Sequence, residues 1–543
     1  MSRIGHVLIV DDRRQWRNLL SRLLDKSKFN IRTAATIEEA MELLKNNFFH
    51  LVVLDIGFEY EGDKVKEDGM EMLKQIRAVD PNLAIRVLLV SAHRSADNTT
   101  LAFRDLGADD SMDKSEFKNY QVFTQKVENL FSSERTAKSP INLDLSINWP
   151  IGKGPKDFVT NMEIDGGQRV QRDTPEQDRY AYELEDLICR LFYDVSEVWV
   201  SQLSEGASGS KVLQIQPLKE DSAMNRVILK FGDYHRIDTE RRNFEEFASP
   251  YLGDQRSTMI KKVGFTPKLG GIVYTLVGSS RAKVEDFATF YQRADENEIE
   301  EVLGFLFKDT CAKWYEETVK HPRLDLAEEY RSYLGFNEEK LQQSMERLQK
   351  YVQGKEKLTF KDLDGQTFTN PVFAYPRVDF RRHTYSCITH GDLNAQNILI
   401  DRNKQTWLID FFRTGFGHIF RDVAQLDTVV RFQLLNSTEI GLHDRCMMEE
   451  RLNSENYFAD LNQVKERFIS EKPALMKAFN TTVFLRKLAG TLIPRSVDDD
   501  MTEYYMALLF YSLNFIRFSS AADAVQRQHA LLSASMIIDH LRR

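Results

Sequence analysis

Three polar residues have the types and the spacing that phosphoryl transfer needs. Asp392 is followed five residues later by Asn397, and two short apolar runs joined by a polar turn lead from Asn397 to Asp410. Such runs predict a β-hairpin, which would return Asp410 to the end of the sheet that Asn397 leaves. An amide oxygen and a carboxylate placed in this way can hold magnesium, a hard ion that keeps its other positions for phosphates and water. Asp392, on the loop before the hairpin, would accept the proton of an attacking substrate hydroxyl.

A surface hairpin whose Asp and Asn side chains only form turns is the alternative to this interpretation. We favour the chemical interpretation because several positions agree at fixed spacings. His390 is expected to be a packing and hydrogen-bonding residue beneath the loop rather than a catalytic one.

The stretch Thr389–Asp427 resembles the catalytic core of the aminoglycoside phosphotransferase and choline kinase group of protein-kinase-like enzymes. That group commonly has His-Gly-Asp-Leu with an Asn five residues after the Asp. Gly391 stands where eukaryotic protein kinases have Arg, and Phe412 replaces the Gly of their Asp-Phe-Gly motif. Both departures favour the branch that acts on small molecules. Asp422 resembles the structural Asp that this branch places after its metal-binding Asp.

The length, composition and net charge of the chain exclude some classes of function. Its 543 residues are too many for one core, and its 42% hydrophobic and 29% charged residues are ordinary for a globular protein. A formal charge of −9 provides no basic field for nucleic acid. The four cysteines lack metal-ligand spacing, which predicts reduced thiols in a cytoplasmic protein. The chain does not start like a secretory signal and has no bilayer-length apolar run, so we expect no membrane insertion.

Residues 1–130 alternate short apolar strands with amphipathic helices, which predicts a parallel sheet covered by helices on both faces. The clearest strands are expected at Val7–Val10, Leu51–Leu54 and Val87–Val90. In such sheets the functional site lies at the carboxyl ends of the strands. Polar residues that could hold magnesium, accept a phosphoryl group and contact the product phosphate would meet at that edge: Asp11, Asp12, Asp55, Ser91 and Lys114.

This set resembles a response-regulator receiver domain with the doubly wound, flavodoxin-like α/β fold. The resemblance implies that Asp55 is the phosphoacceptor and that it holds Mg²⁺ together with Asp11 and Asp12. It also implies that Ser91 is the switch hydroxyl and Lys114 the phosphate contact. A sensor histidine kinase would be the phosphodonor, and the receiver could form a homodimer.

The sequence departs from the receiver pattern in two places. An acidic insertion, residues 57–68, replaces the usual Met-Pro after the phosphoacceptor, and Ser111 stands where an aromatic switch residue is usual. The alternative to a working phosphoacceptor is therefore a receiver that serves only for docking or dimerisation.

Residues 131–178 have the Gly, Pro and Ser content of a linker, in which the alternating stretch 141–149 could form an edge strand. Residues 179–280 are expected to form the smaller lobe of a kinase-like domain. Two of its strands flank a glycine-rich turn whose backbone amides could approach nucleotide phosphates. The strand before residues 277–280 resembles the one that leads to the hinge of the kinase fold, which implies that the backbone at 277–280 holds the adenine.

The next strand of this lobe ends at Lys230, where the protein-kinase fold keeps a phosphate-binding lysine. Glu240 is expected to pair with Lys230, with Glu245 and Glu246 as alternatives. The predicted nucleotide-binding residues are therefore Gly206, Ser208, Gly209, Ser210, Lys230 and Glu240.

Residues 281–543 predict a larger helical lobe that contains the catalytic stretch, with Met501–Phe518 as central core. The expected fold class is therefore an α/β doubly wound receiver followed by a bilobal α+β protein-kinase-like domain. From about residue 180 onward the chain resembles ternary complex associated domain 9, a bacterial phosphotransferase-like domain.

The leading hypothesis is a receiver-regulated phosphotransferase that passes the γ-phosphoryl group of ATP, with Mg²⁺, to a hydroxyl of an unidentified small molecule or protein. Asp392 would be the catalytic base. A catalytically silent scaffold that binds nucleotide or a protein partner is one alternative, and a bacterial protein kinase is another. Whether phosphorylation of Asp55 activates or inhibits is left open by the sequence.

Overall fold

The structure is a computed structural model of the 543-residue chain. It describes residues 4–57, 68–91, 102–132, 140–164, 167–202, 210–220, 222–251, 258–276, 284–335, 337–435, 439–492, 500–517 and 523–542. The chain divides into two compact units. Unit 1 consists of Met1–Arg241 with Ile260–Thr275, and unit 2 of Arg242–Met259 with Leu276–Arg543.

A sheet of five parallel strands begins unit 1, in the order β2-β1-β3-β4-β5. Its strands are β1 (Gly5–Val10), β2 (Phe29–Ala34), β3 (Leu51–Asp55), β4 (Arg86–Ser91) and β5 (Asp110–Asp113). The helices of this region include α1 (Arg14–Leu23), α2 (Ile37–Asn46), α3 (Asp68–Val79) and α4 (Tyr120–Ser132). The central strands are buried on both faces, as their continuous apolar runs require. The predicted doubly wound parallel sheet is confirmed.

A second sheet of unit 1 has the order β11-β12-β10-β8-β7-β6, with β9 paired to β8. Its strands are β6 (Ser146–Asn148), β7 (Glu197–Gln202), β8 (Lys211–Lys219), β9 (Ser222–Ala223), β10 (Val227–Asp233), β11 (Thr258–Phe265) and β12 (Leu269–Leu276). The helices around it are α5 (Pro155–Val159), α6 (Pro175–Leu191) and α7 (Tyr234–Asn243). Strand β10 is antiparallel to β12 and to β8, and β8 is antiparallel to β7 and β9, whereas β6 and β7 run parallel.

The segment predicted as a linker has a structure of its own. Strand β6 pairs at the edge of the second sheet, a possibility that the alternation of residues 141–149 had left open. Ile141, Phe158 and Val170 are buried in the same apolar cluster as strands of both sheets. The Gly and Pro residues of this segment indicated a linker, but the apolar residues between them pack into the apolar cluster of unit 1. The segment therefore belongs to the folded part of unit 1.

Helix α6 contacts the amino-terminal ends of the receiver strands. His50, just before β3, lies 3.2 Å from Asp186, and the guanidinium of Arg190 donates to the carbonyl of Ala84 just before β4 (3.1 Å). These contacts lie at the edge opposite the carboxyl ends of the strands. The edge predicted to carry the phosphoacceptor is therefore not the one attached to the second sheet.

Unit 2 combines three small sheets with helices, in the strand orders β13-β19-β20, β14-β18-β21 and β15-β16-β17. The strands are β13 (Glu285–Asp286), β14 (Val319–Asp325), β15 (Val352–Gln353), β16 (Lys357–Phe360), β17 (Thr367–Thr369), β18 (Arg381–Thr389), β19 (Ile398–Ile400), β20 (Thr406–Leu408) and β21 (Gly415–His418). The helices are α8 (Phe287–Arg293), α9 (Glu296–Phe305), α10 (Ala312–Glu316), α11 (Leu326–Leu334), α12 (Glu338–Leu348), α13 (Pro371–Ala374), α14 (Arg421–Thr428), α15 (Leu442–Leu452), α16 (Leu461–Val464), α17 (Pro473–Leu492), α18 (Thr502–Phe515) and α19 (Ala524–Leu541).

Two sequence-based expectations for unit 2 hold. Strands β19 and β20 pair antiparallel, with Ile398 opposite Leu408, which is the predicted hairpin. Helix α18 is buried along nearly its whole length, so this apolar stretch is core, as expected. In the described part of the chain, no helix combines the length and the apolar character that crossing a bilayer requires.

Candidate functional site

The carboxyl edge of the first sheet gathers the predicted receiver residues. Asp11 follows β1, Asp55 ends β3, and Lys114 follows β5. The ammonium of Lys114 donates to Asp11 Oδ2 (2.8 Å) and to Asp55 Oδ2 (2.7 Å). Ser91, the last residue of β4, is buried one position beyond Val90, which lies opposite Asp55 in the sheet. Strand order alone thus brings distant parts of the sequence to one edge.

This edge has the donor set of a magnesium site. Single carboxylate oxygens of Asp11, Asp12 and Asp55 all lie within 4.8 Å of one another. A hard divalent ion prefers carboxylate oxygens, and the clustering of three of them is unfavourable without a compensating positive charge. Lys114 compensates two of the three carboxylates, so a bound ion would share the site with this ammonium.

The environment of Asp55 changes its protonation. Burial, helped by the charge of Asp11 and opposed by Lys114, raises the pKa of Asp55 to about 6. A phosphoacceptor must be ionised to attack a phosphoryl donor. Near neutral pH the carboxylate is the main form, and it is lost as the pH falls through about 6.

Trp16 and Arg17 also contribute to this edge, although the sequence interpretation did not include them. The ring of Trp16 lies beneath the Lys114 ammonium, 5.0 Å from it, and Arg17 donates to the carbonyls of Asp11 (2.6 Å) and Asp12 (2.9 Å). Trp16 lies at an apolar position of the amphipathic helix α1, a pattern that predicts core packing and gives no signal for this role. Residues 58–67 of the acidic insertion lie outside the described residues.

In unit 2, the loop after β18 is held by Asp422. Its two carboxylate oxygens accept the backbone N–H groups of His390 (2.8 Å) and Gly391 (2.9 Å), and the side chain is fully buried. This is the structural role expected for Asp422. His390 is also fully buried, and its Nε2 contacts the carbonyl of Ile409 (3.0 Å), as expected for a packing residue.

Gly391 has a backbone conformation that explains why no arginine stands there. Its φ is +81°, and a Cβ at this position would lie 2.2 Å from the carbonyl oxygen of Arg413. An L-residue would meet both a backbone clash and an unfavourable left-handed conformation.

The candidate base Asp392 is oriented by a residue that the sequence interpretation did not include. Gln425 on α14 donates from Nε2 to Asp392 Oδ1 (2.9 Å) and accepts the N–H of Leu393 through Oε1 (3.1 Å). Asn397 donates from Nδ2 to the carbonyl of Asp392 (2.8 Å). One carboxylate oxygen of Asp392 is therefore fixed by hydrogen bonds to the loop and to α14.

The hairpin returns Asp410 to the neighbourhood of Asn397. The N–H of Ile409 donates to the carbonyl of Asn397 (3.1 Å), so the residues that begin and end the hairpin lie side by side. Asp410 has φ +73° and ψ +66°, a left-handed conformation that is uncommon for a non-glycine residue. Backbone strain of this kind concentrates at functional sites. Asn243 supports the turn by donating to the carbonyls of Phe411 (3.3 Å) and Phe412 (2.7 Å).

In unit 1, Lys230 pairs with Glu240 rather than with Glu245 or Glu246. The ammonium lies 2.5 Å from Glu240 Oε2, and the hydroxyl of Tyr274 donates to Glu240 Oε1 (2.5 Å). Lys230 and Glu240 are each 1% exposed. Lys230 belongs to unit 1 and Asp410 to unit 2, and their convergence on one nucleotide stays a prediction.

Of the other predicted nucleotide contacts, the structure describes only Ser210. Ser210 is buried just before β8. Gly206, Ser208, Gly209 and the predicted adenine-binding backbone at 277–280 lie outside the described residues.

Two family models match the chain. The model described as "Response regulator receiver domain" matches residues 7–124. The model described as "Ternary complex associated domain 9" matches residues 196–358 and 337–515, which together cover more than half of the 543 residues.

Similar proteins of known name match in the receiver region. "Response regulator MprA" of Mycobacterium sp. (strain KMS) is 33% identical over 108 residues, which are 20% of this chain and 43% of that protein. "Transcriptional regulatory protein ZraR" of Escherichia coli (strain K12) is 28% identical over 120 residues, 22% of this chain and 25% of that protein. The matched region thus spans less than half the length of these relatives.

Solved structures match the same region. The response regulator protein TrrA from Thermotoga maritima in complex with Mg²⁺-BeF is 29% identical, covers 23% of this chain and 99% of its own, and has a TM-score of 0.20. A CheY-like receiver domain protein from Methanospirillum hungatei is 25% identical, with 23% and 94% coverage and a TM-score of 0.20.

Proposed function

The chain belongs to the family described as ternary complex associated domain 9 and carries an N-terminal receiver domain, and from this premise we propose that it is a receiver-regulated, ATP-dependent phosphotransferase. The receiver domain suggests regulation by phosphorylation. The transfer reaction is assigned to the larger part of the chain, with a hydroxyl group as the acceptor.

The observation that carries the proposal is the arrangement at the β18 loop and the β19–β20 hairpin. Asp392 is oriented by Gln425, and Asn397 and Asp410 lie at the two ends of one hairpin. A purely structural hairpin does not need a carboxylate in a strained left-handed conformation at its end. A carboxylate and an amide oxygen beside a candidate base are what transfer of a phosphoryl group from magnesium-bound ATP requires.

Each residue has a separate task in the proposed reaction. Asp392 accepts the proton of the acceptor hydroxyl as that oxygen attacks the γ-phosphorus of ATP, and ADP leaves with the electrons of the broken bond between the γ-phosphorus and the bridging oxygen. Gln425 keeps one carboxylate oxygen occupied, which restricts proton acceptance to the other. Asn397 and Asp410 would hold Mg²⁺, which neutralises charge on the transferring phosphoryl group. Lys230, kept in place by Glu240, would contact the phosphates.

The receiver would take its phosphoryl group from a sensor histidine kinase. Asp55 attacks the phosphorus of the donor phosphohistidine, and the histidine leaves with the electrons of the broken P–N bond. Lys114, now on Asp11 and Asp55, would contact the new phosphoryl oxygens. Because α6 contacts the opposite edge of the sheet, the signal would reach the rest of the chain through the helices beside the sheet or through a receiver homodimer.

The direct test is Asp392→Asn in the full-length protein. Loss of the base should lower Mg²⁺-dependent phosphoryl transfer from ATP to a cell-extract acceptor by roughly 10²–10⁴-fold, measured by mass spectrometry of the products, while ATP binding is retained. Asp401→Asn is the matched control, because Asp401 only accepts backbone N–H groups in the hairpin turn and an amide oxygen does the same. Equal transfer by wild type and Asp392→Asn would contradict the proposal.

The regulatory half has its own test. Asp55→Asn should prevent the gain of one phosphoryl group from a small phosphodonor such as acetyl phosphate, measured by intact mass. Turnover of ATP is then compared before and after phosphorylation of the wild type. Identical turnover and identical oligomeric state would exclude regulation through Asp55.

A scaffold without transfer activity is the second candidate function, and the burial of the Lys230–Glu240 pair favours it. A lysine with only 1% exposure and a buried carboxylate partner can serve the fold alone. A cellular phenotype that survives Asp392→Asn would support this candidate.

A further inference from the structure

A cavity of about 780 Å³ lies in unit 1, at the edge of the first sheet opposite Asp55. It is bordered by the amino-terminal ends of β1 and β2, by the segment before β3 and by α6. Its volume is within the range of about 300–1,000 Å³ that is typical of small-molecule sites. We call it the His6 cavity. None of the residues assigned to the receiver edge or to the candidate transfer site lines it.

Aromatic rings form much of the wall of the His6 cavity. The rings are those of His6, Phe29, Phe48, His50 and Tyr182. The ring of His6 lies edge-on to those of Phe48 and Tyr182, with centroids 6.2 and 6.1 Å apart. Tyr182 is 55% exposed although it lines the cavity, and Ile4, which also lines it, is 46% exposed. Accessible rings and apolar side chains around one cavity are suited to binding a flat aromatic group.

His6 offers hydrogen bonds that no described protein group uses. Its backbone N–H donates to Nδ1 of His50 (2.9 Å), but neither ring nitrogen of His6 has a hydrogen-bond partner among the described residues. Neither of these nitrogens is among the enclosed atoms, so both keep accessible surface at the cavity wall. Burial, reinforced by His50, lowers the pKa of His6 to about 4. The ring is therefore neutral and presents one donor and one acceptor.

The charged residues of the lining favour an anionic ligand. The carboxylate of Asp186 lies 2.7 Å from Nε of Arg190 and 3.2 Å from Nε2 of His50, and Glu185 is also engaged. Lys26, between α1 and β2, makes no ion pair in the part of the chain that the structure describes. The acids of the lining are thus in use, whereas its ammonium group is not. An ammonium and an imidazole N–H on one cavity match the oxygens of a carboxylate.

We propose that the His6 cavity binds a small aromatic carboxylate. The ring of the ligand would stack against Tyr182 and Phe48, and its carboxylate would accept hydrogen bonds from the ring of His6 and from Lys26. The aliphatic part of the wall, which includes Leu143, would leave further charges of a polyanion without partners, so the ligand carries one anionic group.

The position of the cavity connects its ligand to both sheets of unit 1. His6 belongs to β1 and Tyr182 to α6. Helix α6 packs directly on the second sheet, because a Cβ added to Gly271 of β12 would lie 2.9 Å from a side-chain carbon of Leu187. A ligand held between β1 and α6 would therefore stabilise the contact between the receiver and the second sheet. The binding claim itself does not depend on the proposed phosphotransferase.

The test is a calorimetric titration of the full-length protein, at constant ionic strength, with sodium indole-3-acetate, indole-3-ethanol and tryptamine hydrochloride. These probes share one ring and differ in the charge of the side chain. Indole-3-acetate should bind saturably and at least roughly 10-fold more tightly than indole-3-ethanol, as one charge-assisted hydrogen bond predicts, and tryptamine should bind most weakly. Absence of saturable binding of indole-3-acetate, or binding of either other probe at least as tight, would overturn the proposal.

Variants locate the binding site. His6→Phe keeps a ring and removes the nitrogens, and Lys26→Gln removes the charge, so each should weaken binding of indole-3-acetate by roughly 10-fold. Lys26→Gln should leave binding of indole-3-ethanol unchanged, because that probe has no charge. Tyr182→Ser removes a ring and should weaken binding of all the probes. Lys28→Gln is the matched control, because Lys28 is exposed, pairs with Glu128 and does not line the cavity.

Thermal unfolding of the ligand-free variants shows whether each is folded. Lys26 and Tyr182 are exposed, so their variants should unfold at the wild-type temperature, and a loss of binding in them then reports on the cavity itself. Binding of indole-3-acetate that is equal in wild type, His6→Phe and Lys26→Gln would place the ligand elsewhere and overturn the proposal.

Discussion

The receiver edge and the candidate phosphotransferase site are assembled in opposite ways. At the receiver edge, Asp11, Asp55 and Lys114 come from three strands of one sheet in one unit and are already in contact. The candidate transfer residues are divided, with Lys230 in unit 1 and Asp392 and Asp410 in unit 2. Parallel strands place their carboxyl ends at one edge whatever the loops do, whereas a site drawn from two units also needs those units to meet.

Lys114 and Lys230 also differ in how their positive charges are paired with carboxylates. Lys114 bridges two carboxylates of a three-carboxylate cluster, so the cluster can still take a cation. Lys230 pairs with the buried carboxylate of Glu240, which also accepts a hydrogen bond from Tyr274. The carboxylate cluster around Lys114 can therefore take a second cation, whereas the charge of buried Lys230 is matched by that of Glu240. The predictions below test that contrast.

The largest stability effect is expected for Lys230→Met. Removing the ammonium leaves Glu240 buried without its cation, so the free energy of unfolding should fall by about 3–5 kcal/mol in urea denaturation followed by tryptophan fluorescence. Lys230→Met with Glu240→Gln should lose less, because no unpaired charge remains. Lys262→Met, which breaks a more exposed pair with Asp194, should change stability by about 0–1 kcal/mol. A Lys230→Met protein that is as stable as wild type would contradict the proposed difference between Lys230 and Lys114.

A smaller and reversible effect is expected for Lys114→Met. Without the ammonium the three carboxylates repel one another, and the free energy of unfolding should fall by about 1–3 kcal/mol. Millimolar MgCl₂ should recover part of this loss because the ion binds only the folded cluster, whereas it should not rescue Lys230→Met. Lys126→Met, whose partner Asp110 is partly exposed, serves as the control. Equal responses of both variants to Mg²⁺ would contradict the distinction between the two lysines.

The effect that is smallest for each residue and each pH unit is a pH dependence found in both units. Burial lowers the pKa of His6 in unit 1 to about 4, with His50 adding to the effect, and burial lowers the pKa of His529 in unit 2 to about 4, against the opposing influence of Glu449. Both rings stay neutral in the folded protein, while the unfolded chain binds protons below about pH 6.5. Stability should therefore decrease as the pH falls from about 6.5 to about 4, by at most about 1.4 kcal/mol per pH unit for each histidine.

Variants separate the two contributions to this pH dependence. His6→Phe and His529→Gln should each reduce the slope of unfolding free energy against pH, measured in urea between about pH 5 and about pH 6.5. His383→Gln, an exposed residue of β18, should leave the slope unchanged. A slope that is the same in all three variants would show that other groups dominate acid unfolding.

Much of the fold was accessible from the sequence because it depends on local patterns. Apolar runs such as Leu51–Leu54 gave the strands of the receiver, and the polar turn at 401–404 gave the β19–β20 hairpin. The residues between 140 and 170 were misjudged as a linker, because their Gly and Pro content is visible in the sequence while the core that buries Ile141 and Phe158 is not.

The residues of the candidate sites could also be predicted only where they follow from local sequence patterns. Asp11, Asp55 and Lys114 could be grouped from strand order, and Asp392, Asn397 and Asp410 from their spacing. Gln425 and Asn243 could not be found, because a neutral amide on a helix becomes a positioning residue only when packing brings it to a loop far away in the sequence.

The sequence by itself determined which residues can carry charge and protons, because this follows from residue type. It also determined which strands place those residues at the carboxyl edge of the first sheet, because the period of the apolar pattern identifies the strands. Only the tertiary structure decided that Lys230 pairs with Glu240, that Gly391 is confined by the carbonyl of Arg413, and that α6 contacts the receiver at the edge opposite Asp55. Those outcomes depend on distances between segments that are remote in the chain, and such distances are fixed by burial of the core as a whole.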